Sequence, residues 1–345
     1  MAPIKFAPLR IPFERRLQTL GTAMWLILLP GTIISYLVLL LIPWTRFAAL
    51  GYMIWVLYHD DAPEAGGRKS EWVRRWKMWE WMRDYFPIEI RKEADLDPSR
   101  NYLMGYHPHG IVSIGAWINV GTEATGFSKL FPGINLRLLT LVSNFRIPIF
   151  RDIILGMGIA GVSRRAIASI FAQGPGHSAI IVVGGAQECL YARPHTLDLV
   201  LKKRLGFIKV AVTSGALLVP VLSFGENEAY DLIETKPGEF LWNAQMFIKT
   251  RLWGWTMPLY AARGIFNYSL GPLPYRQRIT TTFCKPVDPE EVIGYKFDPA
   301  TLSAEELQTI VAKVHAAYIE RLVCTYDKYK DELAPNRIRD LQLVE

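Results

Sequence analysis

Cysteine is scarce in this chain of 345 residues: Cys189, Cys284 and Cys324 stand far apart, with no CxxC pair. Their spacing disfavours a disulfide framework and a cysteine-built zinc site, and suits reduced, mostly buried thiols in a domain facing the cytosol. Charge is missing altogether from Leu17 to Thr45. Two motifs are missing as well. Without a GxSxG elbow a serine hydrolase is disfavoured. Without GxxxxGK followed by Ser or Thr, a P-loop nucleotide fold lacks support. No fixed-period repeat or low-complexity tract is visible. What is present is apolar and basic: half of the residues are hydrophobic and the formal charge is +7. A basic balance suits an anionic partner, such as a membrane surface or a phosphate-rich cofactor. The positive charge flanks apolar segments and forms no extended stripe, so a nucleic-acid partner is disfavoured.

The stretch Met24 to Ile42 is dominated by Leu, Ile, Val and Trp. A membrane span needs about 20 apolar residues, so this segment qualifies. It is too long and too aromatic for a cleaved secretory signal. A second apolar run, Phe47 to Tyr58, is short for an independent span. Two arrangements compete: one span plus an interfacial segment, or a hairpin turning near Pro30-Gly31 or near Pro43-Trp44-Thr45. Lys5, Arg10, Arg15 and Arg16 precede the apolar region, and Arg68, Lys69, Arg74, Arg75 and Lys77 follow it. Positive charge on both flanks favours the hairpin with both ends cytosolic. From Glu71 to Arg83 the spacing predicts a helix with Trp72, Trp76 and Trp79 on one face, either an interfacial helix or a core stripe.

Beyond residue 100, short apolar runs alternate with helix-like stretches. Strands are predicted over Asn101–Tyr106, Ala179–Val183, Leu217–Phe224 and Ile279–Cys284, and helices over Ile111–Val120 and Ser163–Gln173. This alternation predicts an α/β domain with a mostly parallel sheet. Ser303 and Glu306 form a capping box ahead of a long amphipathic helix reaching about Tyr329. From Pro335 onward the chain reads as a polar tail.

The strongest local feature is Tyr106-His107-Pro108-His109-Gly110. A strand ending in a Pro/Gly turn places two imidazoles at the carboxyl edge of the sheet, where open α/β sheets bind ligands. Pro108 and Gly110 restrict the geometry of the turn. Histidine titrates near neutrality and can accept a proton from a hydroxyl. A purely structural turn is the competing reading; two of the chain's six histidines in four residues favour function. His107 and His109 have no neighbouring cluster with metal-ligand spacing, so no metal is assigned. Gly184-Gly185-Ala186-Gln187-Glu188 is a second strand-end turn, and Glu188 is a candidate to orient a histidine. Phe224-Gly225-Glu226-Asn227 is a third, placing Glu226 and Asn227 on the same edge. The basic cluster Lys202-Lys203-Arg204 with Lys209 either holds cofactor phosphates or is a solvated face.

The order of these motifs resembles the diacylglycerol acyltransferase type 2 family, which includes monoacylglycerol and wax-alcohol acyltransferases. The resemblance covers nearly the whole chain. It runs from Phe6-Ala7-Pro8-Leu9 and Arg15-Arg16-Leu17-Gln18-Thr19 through Tyr85-Phe86-Pro87 and the stretch Glu93 to Gly110, which ends in the family's HPHG signature. It continues through Asn144-Phe145-Arg146-Ile147-Pro148, Val183 to Glu188, Gly206-Phe207-Ile208-Lys209, Phe224 to Glu228 and Leu273-Pro274-Tyr275-Arg276. The stretch from Glu93 to Gly110 and the run Tyr326 to Lys330 look most like diacylglycerol-using members. The resemblance implies an endoplasmic reticulum membrane anchor, a catalytic domain facing the cytosol, and acyl transfer from acyl-CoA, as co-substrate, to an acylglycerol hydroxyl. It also implies access to the lipid droplet surface.

On this reading residues 1–62 form the N-terminal segment and membrane hairpin. Residues 63–345 form a glycerol-phosphate-acyltransferase-like domain, with 63–95 as its interfacial helix region. That wider group carries a His followed after four residues by an Asp. Here Val112 stands five residues after His107, and Ile114 five after His109, so the orienting carboxylate must come from elsewhere. Glu188 is the candidate. Val162-Ser163-Arg164 resembles a later motif of the group and makes Arg164 a candidate for binding acceptor or cofactor, alongside Lys203, Arg204 and Lys209. Leu205 stands where the family often carries a basic residue. The implied reaction uses His109 as base, with His107 or Glu188 holding the imidazole and turn amides stabilising the oxyanion. The expected partners are membrane lipids, diacylglycerol and fatty acyl-CoA, and a homo-oligomer is compatible with the sequence. The rival readings are a monoacylglycerol, wax-alcohol or retinol acyltransferase, and, from another class, a lipid-binding scaffold that forms no ester.

Overall fold

The computed structural model describes residues 5–8, 10–233, 238–240, 243, 247 and 259–344. Two helices open the fold, α1 (Phe13–Leu41) and α2 (Pro43–Tyr58). At 1.5 Å per residue α1 is about 43 Å long and α2 about 24 Å. Among the described residues, α1 alone is long and apolar enough to cross a membrane. It runs unbroken through Pro30, so no turn forms at Pro30-Gly31. The chain turns instead at Ile42-Pro43, where proline supplies a preset first helical residue. There α2 folds back, and the Tyr36 hydroxyl donates to the Ala49 carbonyl at 2.8 Å.

The helix predicted over Glu71–Arg83 is two pieces, α3 (Glu71–Arg74) and α4 (Lys77–Tyr85). The Arg74 side chain turns inward and donates to the carbonyls of Val120 and Met157, both at 2.8 Å, and to Glu123. The Trp79 indole donates to the Val73 carbonyl at the end of α3. The tryptophan stripe is thereby divided: Trp72 is 74% exposed and Trp79 is fully buried.

The main sheet has seven strands: β1 (Glu89–Lys92), β2 (Tyr102–His107), β3 (Asn135–Thr140), β4 (Ala160–Gly161), β5 (His177–Val182), β7 (Leu217–Phe224) and β10 (Thr280–Phe283). Their order is β1-β10-β7-β2-β5-β3-β4. All neighbours are parallel except β10 against β7. The predicted α/β class and its mostly parallel sheet are therefore present. The reason is visible in β2 and β7, which are apolar apart from His107 and Ser223 and are buried along their whole length, as central strands covered on both faces must be. One face packs on α4, on α5 (Ile114–Gly121) and on α7 (Phe150–Gly156). The other packs on α8 (Arg164–Phe171), α10 (Gly206–Ser214) and the long α12 (Ala304–Leu333). Three further short helices are α6 (Phe127–Leu130), α9 (Gly185–Glu188) and α11 (Pro289–Ile293). The capping box at Ser303 and Glu306 starts α12, and Val314, Tyr318 and Leu322 lie on its buried face.

The residues after Pro335 are not a simple polar tail. The Ile338 amide donates to the His195 carbonyl, Arg339 pairs with Asp198 at 2.6 Å, and β11 (Gln342–Val344) adds in parallel to β6 (Asp198–Val200). Leu341 and Leu343 give this end the apolar weight to dock.

Candidate active site

Strand β2 sits between β5 and β7, so the turns that follow all three open on one edge. The tertiary structure thus brings together the histidine turn, Glu188 after β5, and Glu226 and Asn227 after β7. Alternation along β2 sends Tyr106 to the α5 face and His107 to the α12 face. His107 is fully buried, and its Nε2 lies 3.0 Å from the Tyr318 hydroxyl. That hydroxyl donates to the Gly105 carbonyl at 3.1 Å. Burial pushes the His107 imidazole down to about 3, so it stays neutral. The His107-Pro108 peptide is cis. Beyond it, His109 emerges at the edge and is partly exposed.

The surroundings of the His109 ring answer which group orients it. Its Nδ1 lies 3.1 Å from the Gly110 carbonyl oxygen and 3.0 Å from the Cys189 sulfur. A carbonyl only accepts, so Nδ1 carries the proton and Nε2 keeps its lone pair. Burial lowers the imidazole below its ordinary value, which keeps that lone pair available near neutrality. Among the described residues no carboxylate is bonded to the ring. Glu188, expected to hold an imidazole, instead accepts the His109 main-chain N–H on one oxygen and the Val200 N–H on the other, the latter at 2.8 Å. Gly184 permits this, because a Cβ there would lie 2.1 Å from the Glu188 carboxylate. Glu188 is 1% exposed, and burial raises its carboxyl to about 7 against the pull of the two amides.

Glu226 grips the other side of the turn. Its two oxygens accept from the Tyr106 hydroxyl and from the amides of Ile114 and Gly115, the latter two at 3.1 and 2.6 Å. A carboxylate at the start of a helix meets amides that have no partner within the helix. Burial raises Glu226 to about 7 as well. The Ser113 amide and hydroxyl both donate to the His109 carbonyl, at 3.0 and 2.9 Å. Gly110 adopts φ 58°, a backbone angle that a side chain disfavours. Asn227 bonds away from the turn, donating to the Thr196 carbonyl at 2.9 Å.

The basic candidates separate. Arg204 donates to the Gly184 carbonyl and to Gln187, bracing the second turn. Lys203 and Lys209 are exposed close by in sequence. Arg164 is exposed at the start of α8, beyond β4. Two strands, β5 and β3, separate β4 from β2, which is about 14 Å at the usual strand spacing. Among the described residues no group of three or more His, Cys, Asp or Glu side chains could hold a metal ion. Cys189 and Tyr318 escaped the sequence reading. Cys189 follows Glu188 directly, and only the fold shows that it reaches His109 from 80 residues away.

A carboxylate-braced histidine turn on a mostly parallel sheet, preceded by an apolar helix long enough to cross a membrane, suits an α/β acyltransferase with an apolar acceptor. The model for diacylglycerol acyltransferase matches residues 37–344. Diacylglycerol O-acyltransferase 2B of Umbelopsis ramanniana is 47% identical over 342 residues, covering 99% of this chain and 95% of its own length. Diacylglycerol O-acyltransferase 2 of Dictyostelium discoideum is 39% identical, covering 99% of both chains. 2-Acylglycerol O-acyltransferase 1 of Bos taurus is 39% identical, covering 95% of both. The chain belongs to the diacylglycerol acyltransferase family.

Proposed function

We propose that this chain is an acyl-CoA:diacylglycerol O-acyltransferase that makes triacylglycerol by direct transfer, with His109 as the base. The observation that carries the assignment is the partly exposed His109 ring, held through Nδ1 by the Gly110 carbonyl with Nε2 left free. Nε2 takes the proton of the free diacylglycerol hydroxyl as that oxygen attacks the thioester carbonyl. The tetrahedral intermediate then collapses, the C–S bond breaks, and the imidazolium returns the proton to the leaving CoA thiolate. The amides of His109, Ser113, Ile114 and Gly115 are already bonded within the protein, which leaves those of Gly110, Ile111 and Val112 as the turn's donors to the oxyanion. His107, neutral and enclosed, positions the turn. Glu188 and Glu226 do the same through main-chain and hydroxyl donors.

Lys203 and Lys209, beside the turn that Arg204 braces, suit the phosphates of CoA. Arg164 suits a more distant part of the acceptor or cofactor. Helix α1 anchors the protein in the endoplasmic reticulum membrane, with α2 completing the hairpin and the catalytic domain on the cytosolic side. From there the product enters lipid droplets. The anchor also delivers a water-insoluble acceptor to the sheet edge.

Membranes carrying His109→Ala, incubated with labelled acyl-CoA and diacylglycerol, should form no triacylglycerol while the protein inserts normally; near-normal synthesis would overturn the assignment. A second reading, monoacylglycerol as acceptor, is favoured by the 39% identity to a 2-acylglycerol O-acyltransferase. Supplying each acceptor in turn separates the two.

A further inference from the structure

The segment after β9 (Tyr260–Ala261), the partner of β8 (Asp231–Leu232), forms a small hairpin whose base is closed by the bridges Ala262 to Gly271 and Arg263 to Leu273. Its tip is ordered by Asn267, whose side-chain oxygen accepts from the amides of Ser269 and Leu270. The amino-terminal segment lies against it. Phe6 bridges to Asn267, the Ala7 amide donates to the Phe266 carbonyl, and the Tyr268 amide donates to the Lys5 carbonyl, the last two at 2.8 Å. The backbone is therefore well bonded, yet the side chains are turned out. Phe266 is 78% exposed, Phe6 73% and Leu270 61%, with Ile265 beside them. An ordered loop that displays adjacent large apolar side chains marks an interaction site.

Two observations identify what covers it. The first is continuity with α1. Arg276, just past the hairpin, donates to the Arg15 carbonyl at 3.0 Å and to Thr19 at 3.1 Å, and also to Gln18. The hairpin is thus tied to the first two turns of the helix whose apolar surface calls for a bilayer. The second is charge. Lys5, Arg10, Arg15 and Arg278 are all exposed around the same end. Apolar tips rimmed by basic side chains are the composition of a segment lying in the headgroup layer of a membrane with anionic lipids.

We propose that the 262–273 hairpin, with Phe6, inserts into the interfacial layer of the bilayer that α1 enters. It forms a second membrane contact that sets the tilt of the domain against the lipid surface. The contact is independent of the acyl-transfer chemistry.

The test uses the full-length protein in vesicles of phosphatidylcholine, with and without phosphatidylserine. In a Cys324→Ser background, which removes the exposed thiol, Phe266→Cys is labelled with an environment-sensitive fluorophore. Leu270→Cys serves as a second position should the first fail to fold. Lys296→Cys is the control, exposed on the loop before α12. That loop lies at the amino edge of the sheet, because the later part of α12 stacks Tyr326 on Phe224 at the carboxyl edge. Emission from the hairpin probe should shift to the blue and be quenched by lipids brominated near the headgroup, more strongly with phosphatidylserine, while the control stays aqueous. A hairpin probe that emits and quenches like the control would overturn the proposal. So would a blue-shifted probe that brominated lipid leaves untouched, because protein, such as a second copy, would then be its cover.

Discussion

Glu188 is the most informative residue to change, because it supports His109 without touching the ring. Its two oxygens accept the buried N–H groups of His109 and Val200. Glu188→Ala leaves both donors unpaired, at about 1–3 kcal/mol each, so about 2–6 kcal/mol in all. That is a large share of the stability of an ordinary domain. Glu188→Gln keeps one acceptor and sets an NH2 against the other donor, a loss of about 1–3 kcal/mol. If that loss falls on the active geometry of the turn, kcat drops roughly 5- to 150-fold. The KM for acyl-CoA should hardly move, since Glu188 faces no substrate. Steady-state triacylglycerol synthesis in reconstituted membranes, together with thermal inactivation, measures both effects.

The pH dependence adds a second signature. Burial raises the Glu188 carboxyl from its ordinary value to about 7. Between those values the folded protein binds a proton that the unfolded chain does not. The stability from this group is therefore complete at acid pH and is lost as pH rises through about 7. Activity should run the other way, because the ionised carboxylate is the stronger acceptor for the His109 amide. Glu226, also raised to about 7, adds to both slopes. Glu188→Gln should remove its share of each. Wild-type kcat and thermostability in Glu188→Ala, or a flat wild-type profile between about pH 5 and 8, would refute the reasoning.

Three further outcomes follow from the same geometry. Cys189 is buried, and its thiol is pushed up to about 12, so it remains neutral; Cys189→Ala should keep most of the activity because Gly110 still holds Nδ1, and rapid-quench assays should show no acyl-enzyme burst. Gly105→Ala would place a Cβ 2.1 Å from the Tyr318 hydroxyl and should cost about 1–3 kcal/mol in thermal unfolding, with partial rescue when combined with Tyr318→Phe. Arg339→Ala breaks the pair with the buried Asp198 and loosens β6, whose Val200 amide bonds Glu188; kcat should fall less than in Glu188→Gln, with the acyl-CoA KM unchanged.

The parts of this protein legible in its sequence are those with short-range causes. An uncharged apolar stretch declares α1, because the cost of burying charge in lipid acts residue by residue. The apolar runs of β5 and β7, the Ser303 capping box and the Pro/Gly turn at His107–Gly110 are likewise local. The two-piece break at Arg75-Trp76 was not legible, because it follows from Arg74 reaching the distant carbonyls of Val120 and Met157. Nor was the docked tail, which depends on a strand formed some 140 residues earlier in the chain.

The site divides in the same way. Local turn chemistry by itself marked His107, His109, Glu188 and Glu226 as one edge. Only strand order decided their roles. Placing β2 between β5 and β7 enclosed His107 against Tyr318, gave the His109 ring to Gly110 and Cys189, and set Glu188 on a main-chain amide. The physical reason is that hydropathy and turn propensity act within a few residues, whereas a hydrogen bond between His109 and residue 188 exists only after the sheet has assembled.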